Sequence, residues 1–222
     1  LHQDLYGEVA FPLQIAILLS APGRDFTGGE FVLTERRPRM QSRVEAVPLG
    51  EGDGVLLAVP DRPAPGEKGI ETWGGDSALT GGGSSWVTGS YDPELDLVYW
   101  GIGNPAPWNP RARSGDNLFT NAIFAVRPKT GERVWYYQTT PEDPFDYDAV
   151  QTPVVATLNV AGTPTKVVMQ ANRSGFLYVL DAKDGKLIAA NPYGKVNWAD
   201  GIDKETGRPK VTSVFKEALE GK

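Results

Sequence analysis

Residues 125–135 read Ala-Val-Arg-Pro-Lys-Thr-Gly-Glu-Arg-Val-Trp, and residues 179–189 read Val-Leu-Asp-Ala-Lys-Asp-Gly-Lys-Leu-Ile-Ala. Both stretches have the form of a strand, a tight turn containing glycine, and a second strand, with Ala189 in the position of Trp135. The glycines of the two turns are 54 residues apart. Repeats of about 40–50 residues with four short strands are typical of β-propeller blades. The repeat therefore predicts a β-propeller, with a β-sandwich built from similar hairpins as the alternative.

Short strand-forming segments separated by Gly and Pro turns continue on both sides of this repeat, which makes the predicted fold all-β. In the later part of the chain the predicted strands are Leu97–Trp100, Ala122–Val126, Val134–Tyr137, Val154–Leu158, Lys166–Gln170 and Phe176–Leu180. In the earlier part they are Phe11–Leu19, Glu30–Thr34, Val44–Leu49 and Val55–Val59. A third turn of the Thr-Gly type is predicted at residues 203–208.

Composition excludes several classes of protein. The 222 residues carry 22 Lys and Arg against 28 Asp and Glu, and this net charge of −6 argues against a nucleic-acid partner. The absence of cysteine excludes disulfides, thiolate zinc sites and cysteine nucleophiles, and a single histidine, His2, excludes sites that need two. The longest apolar run, Ile15–Leu19, is far short of the ~20 residues that span a membrane. No signal peptide is visible in the sequence.

A boundary is predicted near residues 60–66, in the stretch 60–67 that reads Pro-Asp-Arg-Pro-Ala-Pro-Gly-Glu. Such a Pro-rich stretch is typical of a linker or domain edge. Residues 1–63 contain six Arg and no Lys, whereas residues 64–222 contain ten Lys and six Arg. All six Trp lie in the second region. We therefore divide the chain into regions 1–63 and 64–222.

The second region contains several Gly- and Trp-rich motifs in a fixed order. They are Gly66–Asp76, Gly81–Trp86, Tyr99–Asn109, Gly115–Asn117, Thr139–Asp143, Phe145–Asp148 and Asn172–Tyr178. Together they resemble the quinoprotein alcohol dehydrogenases, which use pyrroloquinoline quinone (PQQ), over about 70% of the chain. The resemblance implies several blades from the middle of an eight-bladed β-propeller.

The resemblance also implies cofactor-binding residues. Trp86 corresponds to the indole beneath the cofactor, where a broad aromatic face suits a flat tricyclic quinone. Ser84 corresponds to a hydroxyl that binds the quinone carboxylates, although the methanol-oxidising members are expected to have Thr there. Arg173 corresponds to a cation beside the quinone oxygens, where it would stabilise negative charge as the quinone is reduced.

Three further residues are implied as metal ligands. Asn104 resembles the amide ligand, since hard cations prefer oxygen donors. Asp146 resembles the catalytic carboxylate, which takes the hydroxyl proton of the alcohol while hydride leaves for the quinone. Asp148 would face the same way as Asp146 if the segment were extended. Two carboxylates so close need a cation between them, and more carboxylates favour a more highly charged one.

The family resemblance makes Asp146-Tyr147-Asp148 a mark of lanthanide-using members, whereas calcium enzymes usually have a small residue at the second Asp. We therefore expect a lanthanide ion, with Ca²⁺ as the alternative. The alternative without a metal is that Asp143, Asp146 and Asp148 form an acidic, solvated loop. The metal-binding Glu and the vicinal disulfide that the resemblance implies have no counterpart in the sequence.

The first region resembles a different family. His2-Gln3-Asp4, with the segments at 12–20, 26–31, 37–39 and 52–55, is similar to Fe(II)- and 2-oxoglutarate-dependent oxygenases of the prolyl-hydroxylase type. The implied fold is a truncated double-stranded β-helix, or jelly roll. His2 and Asp4 would be two of the three facial Fe(II) ligands, and no second histidine can complete the triad.

The function expected from these observations is that of part of a PQQ-dependent alcohol dehydrogenase that converts a primary alcohol to an aldehyde. We expect it to be incomplete and inactive alone. The resemblance implies a periplasmic location and a cytochrome c that accepts electrons. The alternatives are part of an Fe(II)/2-oxoglutarate dioxygenase, from residues 1–63, and a non-catalytic β-propeller binding module. The two regions would then be a genuine fusion or, as we favour, a join of unrelated gene pieces.

Overall fold

The computed structural model of the chain describes residues 13–25, 27, 31–35, 43–58 and 68–221. The chain divides into two compact units, Leu1–Val59 and Pro60–Lys222. The assignment of residues 1–63 and 64–222 to two different enzymes remains a prediction. In the described part of the chain, no helix is both long and apolar enough to cross a membrane.

The described residues of the first unit form two antiparallel strand pairs. Strand β1 (Leu13–Ile17) pairs with β4 (Gly54–Ala58), and β2 (Phe31–Glu35) pairs with β3 (Arg43–Val47). These are the four strands predicted from the sequence, with shifted or shorter bounds. The jelly roll remains a prediction, and His2 and Asp4 lie outside the described residues.

The second unit contains two four-stranded antiparallel sheets. The first is built from β5 (Ser90–Asp92), β6 (Leu97–Gly101), β7 (Ala122–Val126) and β8 (Arg133–Gln138). The second is built from β9 (Val154–Val160), β10 (Thr163–Ala171), β11 (Phe176–Asp181) and β12 (Leu187–Pro192). In each sheet the strands pair in chain order, which is the arrangement of a propeller blade and not the Greek-key order of a sandwich. The prediction of a partial β-propeller is confirmed.

Smaller elements complete the second unit. They are the 3₁₀ helices Ile70–Thr72 and Pro110–Ala112, helix α1 (Ser77–Thr80), the hairpin β13 (Ala199–Ile202) and β14 (Pro209–Val211), and helix α2 (Ser213–Leu219). The β13–β14 turn is the predicted turn at residues 203–208, closed by the Gly207 N–H donating to the Asp203 carbonyl. The main core lies between the two sheets and includes Tyr99, Trp135 and Tyr178, with Trp198 and Phe215 packed into it.

Three loops leave the two sheets and carry the motifs of interest. Residues 102–121 follow β6, and residues 139–153 follow β8. Because β6 and β8 both run antiparallel to β7, their C-terminal ends lie at the same edge of the first sheet. Residues 172–175 follow β10 of the second sheet. Hydrogen bonds between side chains and backbone bring the three loops together.

Candidate functional site

The three loops meet at the carboxylate of Asp148, which is only 2% exposed. Its Oδ1 accepts the backbone N–H of Asn104 at 3.0 Å. Its Oδ2 accepts Nη1 of Arg173 at 2.7 Å. Three predicted site residues that are far apart in the sequence are therefore joined through one buried carboxylate.

The loop with Ser84 and Trp86 lies against the loop with Asn104. The backbone N–H of Gly103 donates to the Ser84 carbonyl at 2.9 Å. A Cβ on Gly103 would lie 2.6 Å from Cη2 of Trp86 and 3.0 Å from Oδ1 of Asp148, so only glycine fits there. The indole is thus half-buried beside the Asp148 carboxylate, whereas Ser84 is exposed.

The segment that carries Asp146 and Asp148 is not extended, contrary to the expectation from the sequence. Asp146 has φ +65° and Asp148 has φ +40°, so both adopt left-handed conformations. Short polar residues such as Asp tolerate this region better than most side chains. The two residues therefore belong to a curled loop and not to a strand, and the negative charge of Asp146 still raises the pKa of Asp148.

The electrostatics of Asp148 suit a cation. Burial raises the pKa of the Asp148 carboxyl to about 6, the Asn104 N–H opposes that shift, and the negative charge of Asp146 adds to it. Arg173 lowers this pKa, although its own side chain is 46% exposed. A bound cation between the two carboxylates would favour their charged forms far more strongly.

Asp143 has a different environment. It is 1% exposed, and its Oδ1 accepts the N–H of Phe145 at 2.8 Å. Its Oδ2 accepts the N–H of Tyr147 at 2.6 Å and Nδ2 of Asn121 at 2.8 Å. Burial raises the pKa of the Asp143 carboxyl, and these hydrogen bonds oppose the rise. The alternative of a solvated acidic loop is therefore wrong for both Asp143 and Asp148.

Arg113 belongs to the site, but nothing in the sequence singled it out. Its side chain is 1% exposed and donates to the carbonyls of Pro107 at 2.6 Å, Trp108 at 3.0 Å and Asp143 at 2.7 Å. It also donates to Oδ1 of Asn117 at 2.9 Å. Burial lowers its pKa to about 10, so the guanidinium is charged at neutral pH. In sequence it is indistinguishable from a surface arginine of a polar loop.

The donor types fit a hard cation. Asn104, Asp146 and Asp148 offer one amide and two carboxylate groups, all with oxygen donors. Within the described ranges, no group of three or more His, Cys, Asp or Glu could hold a metal ion. Hard cations such as Ca²⁺ take about 6–8 oxygen ligands, so the site needs donors beyond these three residues. The close approach of Trp86 to Gly103 provides an aromatic surface beside the same carboxylate, which fits a flat cofactor.

Two family models match the chain. Residues 61–203 match the PQQ model, described as "Glucose/ethanol/alcohol dehydrogenase, beta-propeller domain". Residues 1–77 match a model described as "Oxygenase, catalysing oxidative methylation of damaged DNA". The second match agrees with the oxygenase resemblance of the first region, whereas the prolyl-hydroxylase type remains a prediction.

Individual relatives agree with the first model. Quinohemoprotein alcohol dehydrogenase ADH IIB of Pseudomonas putida is 52% identical over 144 residues, which cover 63% of this chain and 21% of that protein. The lanthanide-dependent methanol dehydrogenase of Methylacidiphilum fumariolicum is 40% identical over 202 residues, which cover 82% of this chain and 32% of that protein. A solved europium-containing methanol dehydrogenase superposes with a TM-score of 0.67 at 37% identity and covers 84% of this chain and 34% of that one.

This chain spans about a fifth to a third of the length of these relatives. The family match itself extends over more than half of this chain, and the blade topology and the motif order agree with it. Through residues 61–203, the chain belongs to the PQQ-dependent glucose/ethanol/alcohol dehydrogenase β-propeller family.

Proposed function

We propose that this chain supplies cofactor-binding and metal-binding residues of a PQQ-dependent alcohol dehydrogenase that oxidises a primary alcohol to an aldehyde. The observation that carries the proposal is the buried carboxylate of Asp148, which accepts from Asn104 and Arg173. Two sheets and three loops have to be in place for that contact. A merely structural propeller module has no need to bury a second carboxylate next to Asp146.

The cofactor would lie on Trp86, with Ser84 and Arg173 at its edge. When bound, PQQ supplies the acceptor for the hydride that leaves the alcohol carbon. Arg173 is anchored through Nη1 to Asp148, and a guanidinium has five N–H donors in a fixed plane. It can therefore hold its position through Asp148 and still donate to an anionic oxygen on its exposed side.

Asp146 and Asp148 would have different roles, one as the proton acceptor and the other as a metal ligand. Asp148 is buried and held by two donors, so its orientation is fixed, as a metal ligand requires. Asp146 is only half-buried and sits next to it, so its carboxylate is the better candidate to take the hydroxyl proton of an alcohol. Asn104 completes the set as a neutral oxygen ligand, since its backbone already contacts Asp148.

We propose a lanthanide ion for this site, with Ca²⁺ as the alternative. The neighbouring charge of Asp146 and the burial of Asp148 both disfavour two ionised carboxylates. A trivalent cation offsets that cost more than a divalent one does. Two of the relatives are named for a lanthanide or for europium, which supports the choice.

The remaining parts of the proposal rest on the family. We propose a cytochrome c as the electron acceptor and the periplasm as the location. A second candidate function, that of an Fe(II)/2-oxoglutarate dioxygenase, is favoured for the first region by the oxygenase match to residues 1–77. It would use His2 and Asp4.

The test is cofactor retention by the full 222-residue chain. PQQ is added with La³⁺ or with Ca²⁺, unbound cofactor is removed by gel filtration, and the absorbance of the retained quinone is measured. We expect retention with La³⁺ to exceed retention with Ca²⁺ and to be lost in Asp148→Ala. Asp203→Ala, a change in an exposed turn, is the matched control.

The other outcomes of this experiment favour one of the alternatives. Equal or better retention with Ca²⁺ contradicts the lanthanide proposal. If PQQ is retained neither with La³⁺ nor with Ca²⁺, the result favours the non-catalytic propeller module. Uptake of Fe(II) and 2-oxoglutarate in place of PQQ favours the dioxygenase.

A further inference from the structure

Two loops carry the proposed metal ligands, and one backbone hydrogen bond joins them, from the Ala149 N–H to the Ile102 carbonyl at 3.2 Å. We name residues 102–109 the Asn104 loop and residues 142–149 the Asp148 loop. Arg113 bridges them: its Nε and Nη2 donate to the Pro107 and Trp108 carbonyls of the first, and Nη2 also donates to the Asp143 carbonyl of the second. One side chain thus contacts the backbones of both loops.

The chemistry of this bridge is specific to arginine. The guanidinium is buried, and its hydrogen-bond acceptors are three backbone carbonyls and the Asn117 amide. Burying a charge without direct carboxylate partners is costly, so the hydrogen bonds must offset it. A lysine has one nitrogen at the end of a flexible chain and cannot reach in the several directions that a planar guanidinium does.

Asp143 fixes the shape of the Asp148 loop from within. Its carboxylate accepts the N–H groups of Phe145 and Tyr147, which flank Asp146. The rings of these two residues pack into the core: Phe145 lies 5.8 Å from the Phe215 ring, and Tyr147 lies 5.7 Å from the Trp198 ring. The alternate residues of the curled loop therefore face inward, which leaves Asp148 to face Asn104.

We propose that Arg113 and Asp143 are positioning residues that set the separation and orientation of the two ligand-bearing loops, so that a metal can be held between Asn104 and Asp148. This inference rests on the proposed metal site and assigns neither residue a contact with the metal. Arg113 sets the distance between the loops. Asp143 sets the curl that presents Asp146 and Asp148.

The experiment measures Tb³⁺ binding by the full chain, with emission sensitised by tryptophan as the signal. The variants are Arg113→Lys and Asp143→Asn. The control is Arg127→Lys, because Nη1 of Arg127 also donates to two backbone carbonyls, those of Leu95 at 2.6 Å and Asp96 at 3.3 Å, in a hairpin that carries no proposed ligand. Circular dichroism melting is recorded for every variant.

Changes to residues that orient metal ligands cost about 10–100-fold in metal affinity. We therefore expect Arg113→Lys and Asp143→Asn to weaken Tb³⁺ binding about tenfold or more, under conditions in which both are folded. Arg127→Lys should lower the melting temperature without changing the affinity. Eu³⁺ luminescence lifetimes in H₂O and D₂O should show more water on the ion in Asp143→Asn, since a displaced carboxylate is replaced by water.

Asp143→Asn keeps the test decisive if Arg113→Lys does not fold. The substitution keeps the volume of the side chain but places an NH₂ group against the N–H of Phe145 or of Tyr147, so it removes at least one of the hydrogen bonds that hold the curl. Unchanged Tb³⁺ affinity and water count in a folded variant would overturn the positioning role. If wild type binds Tb³⁺ no better than Asp148→Ala does, the metal site itself fails and the positioning role fails with it.

Discussion

The two four-stranded sheets contain the same strand–turn–strand arrangement. They differ at the position that is Trp135 in the first sheet and Ala189 in the second. Each has a register shift at the same place, between Ala125 and Val126 in the first and between Val179 and Leu180 in the second. Directly across from these sites, Ala125 pairs with Trp135 and Val179 pairs with Ala189. The strand–turn–strand frame is therefore encoded within each repeat.

The contact between the two sheets depends on the residue in which the two repeats differ. The indole of Trp135 is 7% exposed and donates to the Ala182 carbonyl of the second sheet at 3.1 Å. It also packs on the turn at Gly185, where a Cβ would lie 2.6 Å from the ring. Ala189, in the matching position, is half-buried and too small to make such a contact. The contact of Trp135 with Gly185 thus helps to dock one blade on the next.

Trp135→Ala gives the first sheet the residue that the second sheet has at the matching position, Ala189. We expect this change to have the largest effect on stability. The change removes a buried ring that also packs on Tyr99 at 5.7 Å between centroids, together with its hydrogen bond to Ala182. We expect a loss of about 3–5 kcal/mol in the free energy of unfolding, measured by urea denaturation. Val134→Ala, at the exposed neighbouring position, should cost less than about 1 kcal/mol. Equal losses for the two changes would show that Trp135 does not dock the sheets.

The two turn glycines provide a matched pair for a smaller effect. Gly131 and Gly185 both have φ +73°, so an alanine suffers the same backbone strain of about 1 kcal/mol at either site. A Cβ on Gly131 has no atom within 4 Å, whereas a Cβ on Gly185 meets the Trp135 ring. We expect Gly185→Ala to cost about 1–3 kcal/mol more than Gly131→Ala, because the indole must move.

The same glycine pair can be measured in the Trp135→Ala background. The excess cost of Gly185→Ala should then vanish, since the ring that it would strike is gone. An excess that persists without the indole would place its cause in the turn itself.

The strands and turns were predictable from sequence because their signals are local. Alternating and β-branched segments located all four strands of the first unit and most strands of the two sheets, and Thr-Gly and Asp-Gly turns located the hairpins. The short strands β5, β13 and β14 and helix α2 were missed. Their stability comes from tertiary packing, such as Phe215 against Phe145, which no local pattern reports.

The site was predictable only in part. The resemblance named Asn104, Asp148 and Arg173, and the structure brings these three together. The roles of all six residues remain predictions: Ser84, Trp86, Asn104, Asp146, Asp148 and Arg173. Arg113 could not be found, because its burial depends on carbonyls of its own loop and on the Asp143 carbonyl of a second loop. The left-handed conformations of Asp146 and Asp148 were also not predicted, because strand alternation assumes an extended backbone.

An ion pair also joins the two sheets and makes their contact depend on pH. Lys166 of β10 contacts Oδ1 of Asp92 of β5 at 3.0 Å, and the Asp92 side chain is 1% exposed. Burial raises the pKa of Asp92, but the hydrogen bonds from Lys166 and from the backbone N–H groups of Glu94 and Leu95 outweigh it and hold the pKa below its usual value. Asp92 therefore contributes stability above its unfolded pKa of about 3.9, and this is lost as the pH falls through the lower folded value.

Lys166→Met should be less stable than wild type at neutral pH, because it leaves the Asp92 carboxylate buried without its cation. The difference should narrow below about pH 4, where Asp92 becomes protonated and needs no cation. Urea midpoints between about pH 3 and 7 measure it, with Lys210→Met as the control, because Lys210 pairs with Asp203 at 3.5 Å in an exposed turn. We expect this effect to be smaller than that of Trp135→Ala, because the Lys166 side chain is 18% exposed and water can reach the position that its ammonium leaves. A difference that stays constant with pH would assign the loss to the packing of the lysine stem and not to its charge.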